Sequence, residues 1–449
     1  MQFLTTLNKT SLSVVLVFLA TILIYAWAAR RRAKANKKAE EKLQATIKSG
    51  KTEAYALYPK IDLDKCSGCG ICTRVCPEGD ILQMVNGLPA LVSPTKCVGH
   101  TLCYRSCPVD AITMVFGTEK TGKQVPDYDE NYQTNVRGLY IAGELGGMGL
   151  IANAIKQGVY AATHAVANLD KSVPADVDVL VVGAGPAGIA ASLKCIELKA
   201  NFRCIEQNTF GGTVYNFPRQ KLVMSHPASL PLIGKMSFPK NRIVKEDLLK
   251  YWKEVCLKVG LKVDERVKFV NAKTNGKMFE VETSAGIVRA RKVILAVGVG
   301  GTPRKLGLPN EDTEKVTFKL SDPEQYQNCK IVVVGAGDSA VEAAQRVGDK
   351  KLGNTVHLLV RGDALSRCKE DNKIKIEEME KAGLVHIFYS TGVKEIHPDR
   401  VVIDKKGERL ELPNYYIILF MGTIPPFDFL KSMGIGIRTL YGESLSKKD

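Results

Sequence analysis

The stretch DVDVLVVGAGPAGIAASLKCIELKANFRCIEQ, residues 176–207, decides the fold of the larger part of the chain. It opens with an apolar run of the length and composition of a buried strand. Gly183, Gly185 and Gly188 follow at G-x-G-x-x-G spacing, which serves a tight turn, close approach of a ligand to the backbone, and helix–strand packing. A second strand then ends at Glu206, whose carboxylate can bind ribose hydroxyls. The stretch therefore predicts a βαβ unit that holds a dinucleotide pyrophosphate at a helix N-terminus.

The same pattern recurs at residues 330–360, KIVVVGAGDSAVEAAQRVGDKKLGNTVHLLV. Its glycine positions are taken by Gly335, Gly337 and Ala340. This second strand leads into Arg361 and not into an acid. A guanidinium pairs with a ribose 2′-phosphate that a carboxylate would repel, so Arg361, with Arg367 and Lys369 nearby, favours NADP over NAD. The alternative is that these cations belong to a solvated loop of a basic protein.

Most of the twelve cysteines fall in one short segment. The two runs there are Cys66-x2-Cys69-x2-Cys72-x3-Cys76-Pro77 and Cys97-x2-His100-x2-Cys103-x3-Cys107-Pro108. Such spacing brings three thiolates to one cubane and sends the fourth to a neighbouring cluster. Structural zinc is the alternative, but zinc sites use two ligand pairs separated by a longer spacer. The pattern therefore predicts iron–sulphur clusters and not a disulphide framework.

Over residues 58–116 the chain resembles the bacterial two-cluster ferredoxins, which have an α+β fold. The resemblance implies two [4Fe–4S] clusters. The first ligand set would be Cys66, Cys69, Cys72 and Cys107, and the second would include Cys76, Cys97 and Cys103. The position left over in the second set is His100. Its imidazole either ligates iron, which would raise the reduction potential because negative charge is removed, or leaves a three-iron or labile site.

From about residue 117 to 440 the chain resembles the thioredoxin-reductase-like flavoproteins, particularly their bacillithiol-disulphide-reductase-like branch. The first dinucleotide motif is acidic at its ribose position and the second is basic, as in reductases that bind FAD first and NADPH second. Gly211, Gly212 and Thr213 are similar to the flavin-facing loop, and the strand that ends in Gly298 is similar to the one closing the FAD domain. The resemblance implies FAD and NADP as cofactors, with NAD as the alternative, and favours a homodimer.

The last FAD motif of these flavoproteins, a strand ending in Gly-Asp or Gly-Glu before a helix, occurs upstream in this chain. The run QTNVRGLYIAGE, residues 133–144, has that form and ends in Gly143-Glu144. We infer a circular permutation in which a flavin-capping segment, 117–168, precedes the first Rossmann strand. Glu144 would then accept hydrogen bonds from the FAD ribityl chain. An unrelated glycine-rich loop is the alternative.

The segment SLSVVLVFLATILIYAWAA, residues 11–29, carries no charge and is followed by three arginines. This order predicts a transmembrane helix with an aromatic anchor at Tyr25 and Trp27. A cleavable signal peptide is the rival, but such peptides carry their charge before the apolar run. By the positive-inside rule the basic linker at 30–57 faces the cytoplasm, as do the soluble domains, at the inner membrane. Of the net charge of +16, +7 lies in residues 30–51, which contain no aromatic residue, so no nucleic-acid partner is predicted.

These patterns together predict an α/β protein. Two Rossmann-like dinucleotide-binding domains follow an α+β ferredoxin-like 2×[4Fe–4S] domain and a single N-terminal transmembrane helix. The predicted boundaries are 1–29 for the anchor, 30–57 for the basic linker, 58–116 for the ferredoxin-like domain, 117–168 for the flavin-capping segment, 176–318 for the FAD domain, 319–417 for the NAD(P) domain, and 418–449 for the return to the FAD domain with the C-terminal tail.

No pattern marks a general acid, base or nucleophile, so no catalytic residue is predicted. The cysteines outside the cluster runs are Cys195, Cys204, Cys256, Cys329 and Cys368. Because no two of them form C-x-x-C, a dithiol relay is disfavoured. We predict a membrane-anchored NAD(P)H oxidoreductase in which FAD converts a hydride into single electrons for the clusters, with reverse flow equally allowed. The predicted partner is a ferredoxin, a flavodoxin, a quinone or a cytochrome. A reductase of low-molecular-weight disulphides and a redox sensor or assembly factor are the alternatives.

Overall fold

The chain divides into two compact units, Met1–Thr118 with Gly442–Ser444 and Glu119–Tyr441 with Leu445–Asp449. The fold is that of a computed structural model, which describes residues 2–48, 57–97, 99–118, 122–147, 149–224, 228–238, 243–299, 303–365 and 368–444, without the side chains of 2–13 and 15. Both cysteine runs fall in the first unit, and both glycine-rich motifs fall in the second.

The first unit is built around two short antiparallel strand pairs. Its elements are α1 (Gln2–Lys48), β1 (Tyr58–Ile61), α2 (Ile71–Val75), β2 (Leu82–Val85), β3 (Leu88–Leu91), α3 (Leu102–Arg105) and β4 (Ile112–Val115). β1 pairs with β4, and β2 pairs with β3 in a hairpin. Gly70 and Thr101 adopt left-handed backbone conformations immediately before α2 and α3. Each cysteine run therefore turns sharply into a short helix, which carries Cys72 in the first run and Cys103 in the second.

The predicted anchor, 11–29, and most of the predicted linker form one continuous helix, α1. Within the described part of the chain, no helix combines the length and the apolar character needed to cross a membrane. The transmembrane element of the predicted fold is therefore not confirmed. The predicted linker is helical as far as Lys48, and its residues 49–56 lie outside the described ones.

The second unit contains two larger sheets flanked by helices, one mixed and one with all its strands parallel. Its first elements are β5 (Lys123–Pro126), β6 (Leu139–Ile141), α4 (Ile151–Ala167), β7 (Val177–Val182), α5 (Pro186–Glu197), β8 (Phe202–Glu206), β9 (Leu222–Met224), β10 (Ser229–Leu230), β11 (Gly234–Lys235), β12 (Ile243–Val244), α6 (Lys245–Val259), β13 (Asp264–Glu265), β14 (Phe269–Thr274), β15 (Phe279–Thr283) and β16 (Gly286–Leu295). They are followed by β17 (Val316–Thr317), β18 (Lys330–Val334), α7 (Asp338–Val347), β19 (Thr355–Val360), α8 (Glu370–Lys381), β20 (Val385–Tyr389), β21 (Thr391–Ile396), β22 (Arg400–Lys405), β23 (Glu408–Pro413), β24 (Tyr416–Leu419), α9 (Phe427–Ser432) and β25 (Ile437–Leu440).

The first sheet has the order β13-β8-β7-β16-β15-β14, with β7 at its centre. β13, β8, β7 and β16 run parallel, and β15 is antiparallel to both β16 and β14. Every residue of β7 is buried, as expected for a parallel strand covered on both faces. The opening stretch of the sequence thus forms the predicted strand, glycine turn, helix and second strand.

β6 and α4 belong to this same fold although they precede β7 in the chain. β6 pairs parallel with β16, with Ile141 opposite Leu295, and α4 packs on α5. β25 pairs antiparallel with β5, with Ile437 opposite Pro126. The segment upstream of β7 therefore completes the first sheet, and the last described strand returns to that segment.

The second sheet has the order β17-β24-β18-β19-β20, and all its strands are parallel. β21, β22 and β23 form a separate antiparallel sheet. β17 begins at Val316, ahead of the predicted domain boundary at 319, and β24 crosses the predicted boundary at 417. Leu430 and Ile435 then pack in the core of the first sheet, so the chain returns to the first dinucleotide fold near its end.

Candidate functional site

A cavity of about 3030 Å³ opens beyond the carboxyl ends of β6, β7 and β16. We call it the large cavity. Among the residues that line it are Gly143, Glu144, Gly183, Gly185, Glu206, Gly212, Thr213 and Gly298. All of these were predicted from the sequence to bind FAD. Ligands of open parallel sheets bind at the carboxyl ends of the strands. The structure therefore brings the separated FAD motifs together at the place where the fold expects a dinucleotide.

The glycine turn after β7 combines two packing positions with one open position. A Cβ on Gly183 would lie 2.5 Å from the Ala296 carbonyl oxygen, and one on Gly188 would lie 1.7 Å from the Gly183 carbonyl oxygen. A Cβ on Gly185 would meet no protein atom within 4 Å. Gly183 and Gly188 are therefore required for helix–strand packing, whereas Gly185 keeps the cavity clear for close approach to the backbone. This cradle fits a pyrophosphate.

Glu206 ends β8 and fixes the glycine turn from the opposite side. One carboxylate oxygen accepts a hydrogen bond from the Ala184 amide at 2.8 Å, and the other accepts from the Asn208 amide at 2.9 Å. Carboxylate oxygens have further acceptor capacity, so Glu206 fits the predicted contact with ribose hydroxyls. Gly211 does not line the cavity; its amide donates to the Ala184 carbonyl at 3.0 Å and holds the neighbouring Gly212 at the wall.

Glu144 lies at the cavity wall in a 3-10 turn, Glu144–Gly146, between β6 and α4. A Cβ on Gly149 would lie 3.2 Å from a Glu144 carboxylate oxygen, so the loop before α4 passes close to this carboxylate. Desolvation raises the pKa of Glu144, and the Lys123 ammonium opposes that rise. Burial lowers the pKa of Lys123 in turn. The site therefore contains an acid and a base that stabilise each other's charged forms.

Sequence reasoning missed Lys123 and also Gln157. The Gln157 side chain is 1% exposed, and its carbonyl oxygen accepts from the Gly143 amide at 2.7 Å. It thus anchors the turn that carries Glu144. The available signal was a polar side chain, with Asn153 four residues before it, among the small and apolar residues on the buried face of α4.

The second glycine turn, after β18, repeats the geometry of the first. Gly335 has φ 142°, and a Cβ there would lie 2.4 Å from the Phe420 carbonyl oxygen. A Cβ on Gly337 would meet no protein atom within 4 Å, and Ala340 is buried in the helix that follows. Arg361 is exposed immediately after β19, and Arg367 lies outside the described residues. The described part of the predicted NADP motif is therefore compatible with a dinucleotide.

In the first unit, four cysteines surround a smaller cavity of about 310 Å³, which we call the thiol cavity. They are Cys66, Cys69, Cys72 and Cys107, the set assigned from the sequence to the first cluster. The Ala111 amide donates to the Cys107 sulphur at 3.3 Å, and burial raises the pKa of Cys72. Among the described side chains, no three His, Cys, Asp or Glu groups converge closely enough to hold one metal ion. Four thiols around one space are the donor set of a multi-iron cluster, whose binding would drive the thiols to ionise.

The remaining cysteines of the two runs are also neighbours. Burial raises the pKa of Cys103 to about 12, and repulsion from the thiolates of Cys97 and Cys76 adds to that rise. His100 follows Cys97 in the same loop, and its Nε2 lies 3.7 Å from a carboxylate oxygen of Glu78. This proximity of Cys76, Cys97 and Cys103 fits the second predicted ligand set.

Four of the five cysteines outside the two runs are poorly suited to dithiol chemistry. Cys195, Cys204, Cys256 and Cys368 are buried. Burial raises the pKa of Cys204 to about 12 and that of Cys368 to about 11. None of these cysteines is among the described residues that line the large cavity. Because the thiolate is the reactive form, the environment of these side chains disfavours nucleophilic attack on a disulphide.

Fold and site together define a pyridine nucleotide oxidoreductase that carries an iron–sulphur module. Residues 180–445, more than half of the chain, match the profile of the pyridine nucleotide-disulphide oxidoreductase family, and residues 58–108 match that of the 4Fe-4S dicluster domain. The chain therefore belongs to the pyridine nucleotide-disulphide oxidoreductase family, with a 4Fe-4S dicluster domain fused to it. The resemblance drawn from the sequence is confirmed.

The names of similar proteins describe two kinds of activity. The chain is 31% identical over 268 residues to the ferredoxin–NADP reductase of Ignicoccus hospitalis, which covers 58% of this chain and 82% of that protein. It is 27% identical over 264 residues to the bacilliredoxin reductase Bdr of Bacillus subtilis, covering 58% and 80%. The solved bacillithiol disulfide reductase Bdr of Staphylococcus aureus shares the fold, with a TM-score of 0.54 and 23% identity over 60% of this chain and 85% of that one. The protein is thus a flavin-dependent oxidoreductase with an iron–sulphur domain.

Proposed function

We propose that this enzyme transfers electrons between NADPH and an electron-carrier partner, by way of FAD and two iron–sulphur clusters. The observation that carries the proposal is the large cavity, where the glycine turn, Glu206 and Glu144 meet within a chain that also groups the cysteines of a dicluster domain. A relative is named ferredoxin–NADP reductase, and the ferredoxin-like module of this chain would supply a fused carrier for the same exchange.

Each part of the two dinucleotides would be bound by different residues of this chain. The N-terminal turn of α5, which follows Gly185, would hold the FAD pyrophosphate, Glu206 its ribose and Glu144 its ribityl chain. Arg361 would pair with the 2′-phosphate of NADP. Bound FAD supplies the exchange between hydride transfer and single-electron transfer. His100 would either ligate the second cluster or leave it with three irons.

Reduction of a low-molecular-weight disulphide is the second candidate, and it is favoured by the relative named bacilliredoxin reductase. It would need a reactive thiol, or a substrate thiol, close to the flavin. The buried cysteines with raised pKa values weigh against a protein thiol in that role. Electron exit through the clusters is therefore the better supported route.

We also propose that residues 11–29 hold the protein at the inner, cytoplasmic membrane in a single pass, with the folded units on the cytoplasmic side. Large apolar side chains are exposed along this part of α1: Val14, Leu16, Val17, Phe18, Leu19, Ile22, Leu23, Ile24, Tyr25 and Trp27. The guanidinium of Arg31 lies 4.1 Å from the ring centroid of Trp27, a pairing suited to a membrane surface. The partner would then be a soluble ferredoxin or flavodoxin, or a membrane quinone or cytochrome. A homodimer is proposed on the family resemblance.

Anaerobic stopped-flow mixing of the full-length protein with NADPH, and separately with NADH, tests the electron route. Flavin absorbance reports the first step, and electron paramagnetic resonance of frozen samples reports the clusters. We expect flavin bleaching with NADPH, followed by reduced-cluster signals. Flavin reduction with clusters that stay oxidised, together with oxidation of NADPH by a disulphide, would instead establish the disulphide reductase.

A further inference from the structure

The second half of α1 is a docking element for the ferredoxin-like module and not a free linker. Asn36, Ala39, Lys42, Leu43 and Thr46 recur at helical spacing and are the more buried positions of this segment. Ala39 is 1% exposed, and its neighbours Lys38 and Glu40 are exposed. One face of the helix therefore packs on the module, while the basic side chains other than Lys42 are exposed.

Specific polar contacts fix how the β2–β3 hairpin lies along this face. At the hairpin turn, the Asn86 amide donates to the Asn36 side-chain oxygen at 2.6 Å, and the Asn36 amide group donates back to the Asn86 side chain at 3.1 Å. At the other end, Lys42 Nζ lies 2.9 Å from an Asp80 carboxylate oxygen. Thr46 in the same helix donates to a hairpin carbonyl at 2.8 Å. The turn of the hairpin therefore points toward the apolar part of α1.

The thiol cavity lies at this end of the hairpin. A Cβ on Gly68, between Cys66 and Cys69, would lie 2.6 Å from the Gly87 carbonyl oxygen in the hairpin turn. Pro89, two residues further on, lines the cavity itself. The first cluster set is thus packed against the same turn that binds the helix.

Distances along α1 put this end of the module close to the apolar segment. Trp27 and Asn36 are nine residues apart, which corresponds to about 14 Å of helix. Cys69 is exposed, the apolar side chain of Val109 in the wall of the thiol cavity is 41% exposed, and that of Leu63, three residues before Cys66 in the chain, is 55% exposed. An apolar carrier at the membrane surface could therefore reach this site.

We propose that the site formed by Cys66, Cys69, Cys72 and Cys107 exchanges electrons with a quinone dissolved in the membrane, and that docking of α1 on the β2–β3 hairpin holds it within reach. This inference rests on the proposed function, both for the electron route and for the membrane position. The net reaction is NADPH + H⁺ + quinone → NADP⁺ + quinol. Two single-electron transfers at this site complete each quinol, and the quinone takes up two protons.

The test lengthens the helix without disturbing its docking face. Insertion of seven helix-forming residues between Ala33 and Lys34 adds two turns, about 10 Å, and returns the docking face to nearly its original direction. The probe is menaquinone in vesicles of phosphatidylglycerol and phosphatidylethanolamine. We expect unchanged flotation with vesicles and unchanged NADPH-dependent ferricyanide reduction. Quinol formation should fall about tenfold or more, because the site is moved away from the membrane.

A second readout does not depend on turnover. A photoreactive menaquinone analogue in the same vesicles should label peptides containing Leu63 or Val109 in the unaltered protein and should lose that labelling in the insertion variant. The substitutions N36A, K42A and T46A together should also reduce labelling, since they release the hairpin. The matched control, K37A with Q44A, removes the same charge from the exposed face and should leave labelling unchanged.

The outcomes separate this inference from the proposed function. If the insertion variant still floats, still reduces ferricyanide and forms quinol at the original rate, this inference alone is overturned. Labelling confined to other peptides also overturns this inference alone. If the unaltered protein fails to float with the vesicles, the proposed membrane position is overturned, and this inference with it. If the unaltered protein floats but does not oxidise NADPH, the proposed electron route is overturned.

Discussion

Substitution of Gly185 by alanine is expected to weaken FAD binding while leaving the fold intact. Gly185 has φ −80° and ψ −172°, an extended conformation that alanine adopts without strain. No protein atom lies within 4 Å of the added Cβ, and the methyl group would project into the large cavity. The apoprotein should therefore be as stable as the original or more stable, by about 0.4–1 kcal/mol from reduced entropy of the unfolded chain.

The substitution should instead weaken the binding of FAD. The methyl group would push the pyrophosphate off the backbone amides of the turn, with loss of one or two hydrogen bonds to a charged group at about 1.5–3 kcal/mol each. A net loss of about 2–4 kcal/mol corresponds to a Kd raised by about 30-fold to 1,000-fold. Calorimetric titration of the deflavinated protein with FAD measures this change, and thermal unfolding without FAD measures the fold.

The chain provides its own control in Gly337, which has φ −89° and ψ 174° and the same open surroundings. G337A should retain FAD and instead raise KM for NADPH. If G185A binds FAD as tightly as the unaltered protein, the pyrophosphate does not contact this turn and the assignment of the large cavity is refuted. If G185A loses stability without FAD, the cradle is structural and the reasoning also fails.

Three further predictions follow from individual side chains. The pKa of His357 is lowered from 6.5 to about 4 by burial and by His386, so stability that is complete above pH 6.5 should be lost as the pH falls toward 4. The loss in the free energy of unfolding is about 1–2 kcal/mol after allowance for partial solvent access. Thermal unfolding of H357F, measured over the same pH range, should lack this pH-dependent loss. H100C should lower the reduction potential of the second cluster by on the order of 100 mV, because a thiolate adds negative charge, and a redox titration followed by electron paramagnetic resonance that shows no shift would exclude His100 as a ligand position. R361E should raise KM for NADPH by about tenfold or more through loss of a charge-assisted contact, with KM for NADH little changed, and equal effects on both would contradict a 2′-phosphate contact.

Features that depend on short-range sequence were predictable. The apolar run before Gly183 and the spacing of the glycines specify a strand, a turn and a helix within a few residues of each other, because the steric limits at these positions are local. The resemblance to two-cluster ferredoxins likewise implied the grouping of Cys107 with the first three cysteines, and the structure places these four around one cavity.

Features that depend on contacts between distant segments were not predictable. Asn36 binds Asn86 across fifty residues, and the docking face of α1 combines Asn, Lys and Thr with Ala and Leu, so it has no uniform hydropathy. Lys123 approaches Glu144 only because β5 contacts the turn after β6. Polar docking of this kind leaves no periodic signal in hydropathy, since its energy comes from paired donors and acceptors.

The packing of the second unit depends little on the order in which its segments occur along the chain. β6 buries its side chains between β16 and the helices whether the chain reaches it before or after β7, because strand pairing and core contacts do not depend on chain order. The pairing of β25 with β5 explains how the fold tolerates the change, since it joins the end of the second unit to the segment in which that unit begins. What a permutation would alter is the covalent neighbour of the Glu144 turn. In this chain that turn follows the ferredoxin-like module directly in sequence, so a cofactor held at the large cavity and the clusters would be carried by consecutive segments of one polypeptide.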